Sequence, residues 1–138
     1  MTRWNYWQKH ARGSGRKYGN RKVQTEEGTF DSVKEARRNA ELRILEAAGE
    51  ITDLRRQVRF ELIPAQREPD TVGPRGGVKK GRIIEQACFY VADFCYYDAD
   101  GNAVVEDVKG YKDGGAYKVF TIKRKLFLQK FGIRIREV

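Results

Sequence analysis

Phe89-Tyr90-Val91-Ala92-Asp93-Phe94-Cys95-Tyr96-Tyr97, then Asp98-Ala99-Asp100-Gly101-Asn102, then Ala103-Val104-Val105-Glu106-Asp107-Val108-Lys109 is the stretch that decides the fold. Its first part closes a strongly β-forming run over residues 83–97. The middle is a turn rich in Asp, Gly and Asn, and the last part is a second strand, so the whole reads as a β-hairpin. Charges stand where a strand should be apolar. Aspartate is depleted in strands, and burying an unpaired carboxylate is costly or forces its protonation. Asp93, set among apolar neighbours, therefore needs a use. Side chains alternate across a strand, so Asp107 and Lys109 share one face while Glu106 and Val108 share the other. Pairing 93–97 with 103–109 brings Asp93 next to the Asp107–Lys109 pair at one edge of a sheet.

That constellation has a chemical use. Two hard carboxylates, helped by a backbone carbonyl such as that of Val108, suit Mg²⁺. Such an ion neutralises charge on a scissile phosphate and lowers the pKa of a bound water. Lys109 is placed to orient or deprotonate that water, or to stabilise the charge that develops on the phosphorane. Glu35, upstream, offers a carboxylate for a second metal position ~3.5–4 Å away.

Working outward, Ser32 followed three residues later by Glu35 is a capping box, and Val33, Ala36, Ala40, Ile44 and Ala47 recur at helical spacing, with Leu42 and Leu45 widening the stripe and Gly49 as the stop. The spacing predicts a helix over 32–48. Val58, Phe60 and Leu62 alternate with polar residues in a strand ending at Pro64, and Gln57, which opens it, is placed to aid the site. Residues 64–82 hold all three prolines, four glycines and several basic residues, a flexible basic loop. Tyr117–Phe131 reads as an amphipathic basic helix stopped at Gly132, and 133–136 as a last strand. The order helix, strand, strand, strand, helix, strand predicts an α/β domain, a mixed central sheet flanked by helices.

The charge balance points to polyanions: 28 Lys and Arg against 19 Asp and Glu give +9 over 138 residues. At this length one domain is expected, over 21–138, behind a basic arm at 1–20 whose composition predicts mobility. The arm carries Arg16 and Lys17 for phosphate contact, and its aromatics Trp4, Tyr6 and Trp7 have two readings, stacking on exposed bases or packing on the domain or a partner subunit. Lys79, Lys80 and Arg82 in the loop, and Lys118, Lys123, Arg124 and Lys125 on the second helix, are candidate phosphate contacts or plain solvated faces. No run approaches the ~20 apolar residues that span a bilayer, and no apolar leader opens the chain, so an intracellular protein is expected. Cys88 and Cys95 lie ~23 Å apart on one extended strand, too far to bridge. With His10 as the single histidine, zinc sites and serine or cysteine triads are disfavoured. The P-loop pattern is absent, which discounts a nucleotide cofactor.

Asp93, then Asp107-Val108-Lys109, with an upstream helical Glu35, resembles the PD-(D/E)XK nuclease superfamily. Ala92 stands where that pattern often has proline. Lys17-Tyr18-Gly19-Asn20, Phe30-Asp31-Ser32 with Glu35-Ala36-Arg37-Arg38, Val105-Glu106-Asp107-Val108-Lys109-Gly110 and the ending Phe131-Gly132-Ile133 to Val138 resemble a phage and prophage family within it. The resemblance covers about residues 17–138, with 67–82 as an insertion. It implies a restriction-endonuclease-like fold, an active site of Glu35, Asp93, Asp107 and Lys109, and dependence on Mg²⁺ or Mn²⁺. Small phage members resemble Holliday-junction resolvases, which act as homodimers on branched DNA, and the setting implied is the cytoplasm of a phage-infected or prophage-bearing bacterium.

Plainer readings stand beside these. Glu35 is fully accounted for as a helix cap, and Glu41 takes its place if the helix register differs. Asp93 also reads as a charged guard of an edge strand, and Asp107 with Lys109 as a surface ion pair. Glu106, on the opposite face, would pair with a helix lysine. For the whole chain the alternatives are a general or nicking DNA or RNA nuclease and a nucleic-acid-binding phage protein without catalysis. Carboxylates facing phosphates favour an enzyme, since a pure binder gains nothing from that repulsion.

Overall fold

The computed structural model describes residues 22–110 and 112–138. In chain order they form β1 (Val23–Thr25), β2 (Gly28–Phe30), α1 (Val33–Ala47), β3 (Thr52–Ile63), β4 (Gln66–Arg67), β5 (Thr71–Val72), β6 (Val78–Lys79), β7 (Ile83–Glu85), β8 (Cys88–Tyr97), β9 (Ala103–Asp107), α2 (Gly114–Phe131) and β10 (Ile135–Glu137). The central sheet has the order β10-β9-β8-β3. β3, β8 and β9 pair antiparallel, while β10 runs parallel to β9. A parallel neighbour needs a long crossover, and α2 supplies it. The architecture is therefore α/β with a mixed central sheet and two helices, as expected. The basic arm at 1–20 lies outside the described residues.

The sheet separates two apolar clusters. Val58, Phe60, Tyr90, Val105 and Ile135 pack with Phe120 and Phe127 of α2. Ile51, Phe94, Tyr96 and Val104 pack with Leu42 of α1. Val104 and Val105 are neighbours in β9 yet join different clusters, as alternation across a strand requires. On the α2 side Phe60 meets Phe127 edge-on, with ring centroids 4.9 Å apart. α2 begins at Gly114 rather than Tyr117 because the Asp113 side chain caps it, its Oδ1 accepting from Gly114 N at 2.7 Å. It stops where Gly132 turns left-handed, at φ 69°.

Two strands change phase inside the sheet. Ala92 and Phe94 are two residues apart, and Leu54 and Val58 four apart, so an unbroken strand would hold each pair on one face. Instead Ala92 and Val58 pack toward α2, while Phe94 and Leu54 pack toward α1. In β3 the change falls at Gln57, whose φ of 50° lies in the left-handed region. That conformation costs a non-glycine residue ~1–2 kcal/mol.

Three sequence expectations need correction. α1 buries only part of its apolar stripe: Leu42 enters the core and Leu45 packs against it, but Ile44 is 69 % exposed and Val33 is exposed too, while Glu35 and Asn39 are buried. The helix docks through Leu42 together with polar groups, so counting apolar residues alone rotates its buried face. Residues 64–82 are not an unstructured loop but carry paired strands, β4 with β7 and β5 with β6. The prolines fall between these strands rather than within them, which is why the ladders form. Finally, the run 83–97 breaks between β7 and β8. The hairpin turn at 98–102 is as expected, with Asp98 Oδ1 accepting from Asn102 N at 2.8 Å.

Candidate active site

Three elements carry buried carboxylates toward the edge where β8 and β9 part. Glu35 comes from the first turn of α1, Asp93 from β8 and Asp107 from the end of β9, and each is at most 3 % exposed. Ser32 sets the start of α1, its Oγ accepting from Glu35 N at 3.1 Å. Gln57, held by its left-handed backbone, links two of the acids: its Nε2 donates to Glu35 Oε1 at 2.9 Å and to Asp93 Oδ1 at 3.2 Å. The amide expected to aid the site therefore sits between its carboxylates.

The β8–β9 ladder runs to the Phe94–Glu106 pair. Past it, Asp93 Oδ2 accepts from Val108 N at 2.7 Å, so the carboxylate takes a backbone donor at the point where the strands part. Asp107 is gripped on both oxygens. Tyr90 Oη donates to Oδ2 at 2.8 Å, and Lys109 Nζ lies 3.0 Å from Oδ1. Burial above all, and then the Asp107 charge, pushes the Tyr90 phenol well above its ordinary pKa, so it remains a donor. Lys109 Nζ also lies 3.5 Å from the centroid of the Phe120 ring, a cation–π contact that fixes the ammonium between a carboxylate and an aromatic face. Its backbone is strapped by the chain end: Lys109 N donates to Val138 O at 2.9 Å, and Val138 N to Asp107 O at 3.0 Å.

Glu106 points to the opposite face, as alternation predicts. It is fully buried, and its partner is an arginine rather than the expected lysine: Arg38 donates to it through Nε at 2.9 Å and Nη2 at 2.7 Å. Tyr96 Oη adds a 2.5 Å hydrogen bond. Glu41 does not stand in for Glu35, because it is exposed and paired with Arg38 Nη1 at 2.8 Å.

The basic candidates divide. Lys79, Lys80, Lys118 and Lys125 are exposed, and Lys123 is half-buried. Arg82 is tied to Glu68, and Arg124 to Glu137. Arg16 and Lys17 lie outside the described residues, as do Trp4, Tyr6 and Trp7. Cys88 and Cys95 are unbridged, and burial holds the Cys95 thiol well above its ordinary pKa.

Sequence reasoning missed Tyr90 and Lys34. Tyr90 reads as a core aromatic, and the phase change in β8 hides its relation to Asp107. Lys34 reads as a solvated helix residue, yet its Nζ donates to Lys109 O at 2.6 Å and ties α1 to the end of the motif strand.

The donor set suits a hard divalent cation in kind, being carboxylate oxygen throughout. Among the described residues, however, no three His, Cys, Asp or Glu side chains are grouped closely enough to hold a metal ion. The Gln57 amide nitrogen lies between two of the acids, and the Lys109 ammonium rests on the third.

The family model described as "Protein of unknown function (DUF1064)" matches residues 15–137. The chain belongs to that family. The match takes in every element of this DUF1064 protein that bears on the site, from Glu35 to Lys109 and on through α2. No curated protein and no solved structure matches it. Nor does any helix among the described residues have the length and apolarity to cross a membrane.

Proposed function

We propose that this DUF1064 chain is a metal-dependent endodeoxyribonuclease with a restriction-endonuclease-like, PD-(D/E)XK fold, cutting branched DNA and four-way (Holliday) junctions above all. The observation that carries the reading is that Glu35 and Asp93 share the Gln57 amide and Asp93 reaches the backbone beside Asp107, all three acids buried, with Lys109 held 3.0 Å from Asp107. An ordinary protein of net charge +9 has no need to bury three acids at one sheet edge.

In this reading Asp93, Asp107, Glu35 and the Val108 carbonyl would hold Mg²⁺, with Mn²⁺ as a substitute. Bound there, the ion supplies charge neutralisation at the scissile phosphate and a water of lowered pKa. Gln57 then has to swing its amide off Glu35 and Asp93, so it acts as their positioning residue. Tyr90 keeps Asp107 oriented through Oδ2. Lys109, fixed between Asp107 and Phe120, orients the attacking water or stabilises the charge that develops on the phosphate oxygens. The water would lose a proton to solvent as its oxygen bonds to phosphorus, the bridging P–O bond to one of the two deoxyriboses would break, and the departing sugar oxygen would take up a proton. Lys118, Lys123, Lys79 and Lys80 hold the phosphate backbone. A junction requires paired cuts, so a two-fold homodimer in the bacterial cytoplasm is the working unit.

One observation favours a second reading. The Gln57 amide satisfies Glu35 and Asp93 without an ion, which suits a nucleic-acid-binding protein that does not cut. Gel cleavage of a labelled synthetic four-way junction, beside linear duplex and single strand, with Mg²⁺ and with EDTA, separates the two. Symmetric metal-dependent cuts confined to the junction are expected. Cutting of all three substrates would make the protein a general nuclease, and a shifted band without cutting would establish the binding protein.

A further inference from the structure

Beyond Ile63 and Cys88 the chain continues as a two-tier antiparallel ribbon. β4 pairs with β7, then β5 with β6, and neither pair joins the central sheet. Every residue from 64 to 87 is exposed or half-buried. The stem holds itself together. Glu68 N donates to Arg82 O at 2.9 Å, Arg82 is paired with the Glu68 carboxylate, and Gly81 N donates to Asp70 Oδ1 at 2.9 Å. The strands approach so closely that a Cβ on Gly81 would lie 1.8 Å from Glu68 O. The acids Glu68 and Asp70 are thus engaged inside the stem.

The outer half differs. Its tip is the turn Gly73-Pro74-Arg75-Gly76, closed by Gly76 N donating to Gly73 O at 3.0 Å, backed by Gly73 N donating to Gly77 O at 2.8 Å, and allowed by Gly76 at φ 79°. Val72 and Val78 face each other across the ribbon just behind the tip, and they are 73 % and 71 % exposed. Among the described residues none of Arg75, Lys79 and Lys80 has an ion-pair partner. A narrow ribbon therefore ends in a proline and two bare valines flanked by three cations.

Val72 and Val78 lie side by side next to Pro74, and a contiguous exposed apolar patch, unlike a lone apolar side chain, can mark a partner surface. A second copy of this chain, at +9, carries the wrong sign for a cationic tip. Duplex DNA carries the right one. Architectural proteins place such arms in the minor groove, with basic residues on the phosphates and a proline or aliphatic wedge against the base steps. We propose that residues 66–85 are a DNA arm that lies in the minor groove, with Val72, Pro74 and Val78 against base edges and Arg75, Lys79 and Lys80 on the flanking phosphates. The inference rests on DNA being the partner, as in the function proposed above, but not on cleavage. It also moves Arg82 from phosphate contact to bracing the stem.

The test is fluorescence-anisotropy binding of a linear AT-rich duplex in EDTA over a salt series. It compares the wild type, the triple variant Arg75→Ser/Lys79→Ser/Lys80→Ser and the double variant Val72→Ser/Val78→Ser. All five positions are exposed, so both variants should fold. The triple variant is expected to bind at least about tenfold more weakly, with a log–log salt slope lower by up to ~2.7, the yield of three lost phosphate contacts. The double variant is expected to lose affinity with its slope unchanged, and a minor-groove ligand is expected to displace the wild type. Wild-type binding by both variants, or displacement only by a major-groove ligand, would overturn the arm. So would a change of oligomeric state in the double variant with binding kept, because the ribbon would then belong to a second copy. A protein that binds through the arm in EDTA yet cuts nothing in Mg²⁺ would end the nuclease reading and leave the arm standing.

Discussion

Arg38 and Glu106 meet between α1 and β9 in a two-pronged pair, Nε 2.9 Å from Oε2 and Nη2 2.7 Å from Oε1. Arg38 lies one turn beyond Glu35 on the helix, and Glu106 directly precedes Asp107 on the strand. The pair therefore joins the two elements that bring those acids together, from the far side of the sheet. Its hydrogen bonds to Glu106 raise the Arg38 pKa still further, so the charge is permanent. Removing Arg38 leaves the buried Glu106 with only the Tyr96 hydroxyl and the more distant Arg136, 3.7 Å away. Breaking a buried pair costs up to ~3–5 kcal/mol, whereas replacing both partners by apolar residues is often nearly neutral. Arg38→Met should therefore lower the unfolding free energy by up to that amount in urea, and Arg38→Met with Glu106→Leu should recover most of it. A single variant as stable as the wild type would show that the pair holds nothing.

Tyr96 predicts a response to alkali. Burial chiefly, and the hydrogen bond to Glu106 next, push its phenol from the ordinary 10.0 up to about 12. The folded pKa lies above the unfolded one, so this contribution to stability is complete below about pH 10 and is lost as pH rises from there toward 12. The urea midpoint should fall across that window in the wild type and fall less in Tyr96→Phe. Identical profiles for the two proteins would contradict the assignment.

Gln57 predicts a link between metal and stability. Gln57→Glu sets a third carboxylate against Glu35 and Asp93 in place of the amide that now donates to both. Like charges at such distances are destabilising, and the variant also loses hydrogen bonds to charged groups worth ~1.5–3 kcal/mol each. In EDTA its melting temperature should drop well below that of the wild type. Addition of Mg²⁺ should raise it again, and by more than it raises the wild type. Equal responses to Mg²⁺ would show that no cation reaches these acids.

The hairpin and its charges were legible because alternation and turn chemistry are local rules. Asp107 and Lys109 had to share a face, and the Asp98–Asn102 turn had to bring Asp93 beside them. Glu35 was not legible on those grounds, since a helix cap accounts for it, and its place at the site came from resemblance. Gln57 was legible as a residue near the site, but its reach between Glu35 and Asp93, like the Tyr90 bond to Asp107, was hidden by the phase change in β3 and β8, a long-range feature of two paired strands that neither sequence announces alone. Ile44 was misjudged because α1 docks through Leu42 together with Arg38 and Asn39, the latter donating to Glu27, a face rotated away from Ile44. The ribbon escaped notice because its strands are two or three residues long and punctuated by proline and glycine, so no periodicity develops.

The most direct test of the central claim is single-turnover cleavage of a labelled four-way junction by the wild type and by Asp107→Asn in Mg²⁺, with binding of the same DNA followed in Ca²⁺. The variant keeps the size of the side chain and a hydrogen-bond acceptor for Tyr90, so it should fold and bind DNA within a few-fold of the wild type. The account predicts cutting by the wild type, abolished by EDTA, and slower by at least ~10²–10³-fold in Asp107→Asn, the loss expected when a group that organises transition-state charge is removed. A wild-type protein that binds the junction but leaves it whole in both Mg²⁺ and Mn²⁺, or a variant that cuts as fast as the wild type, would contradict it.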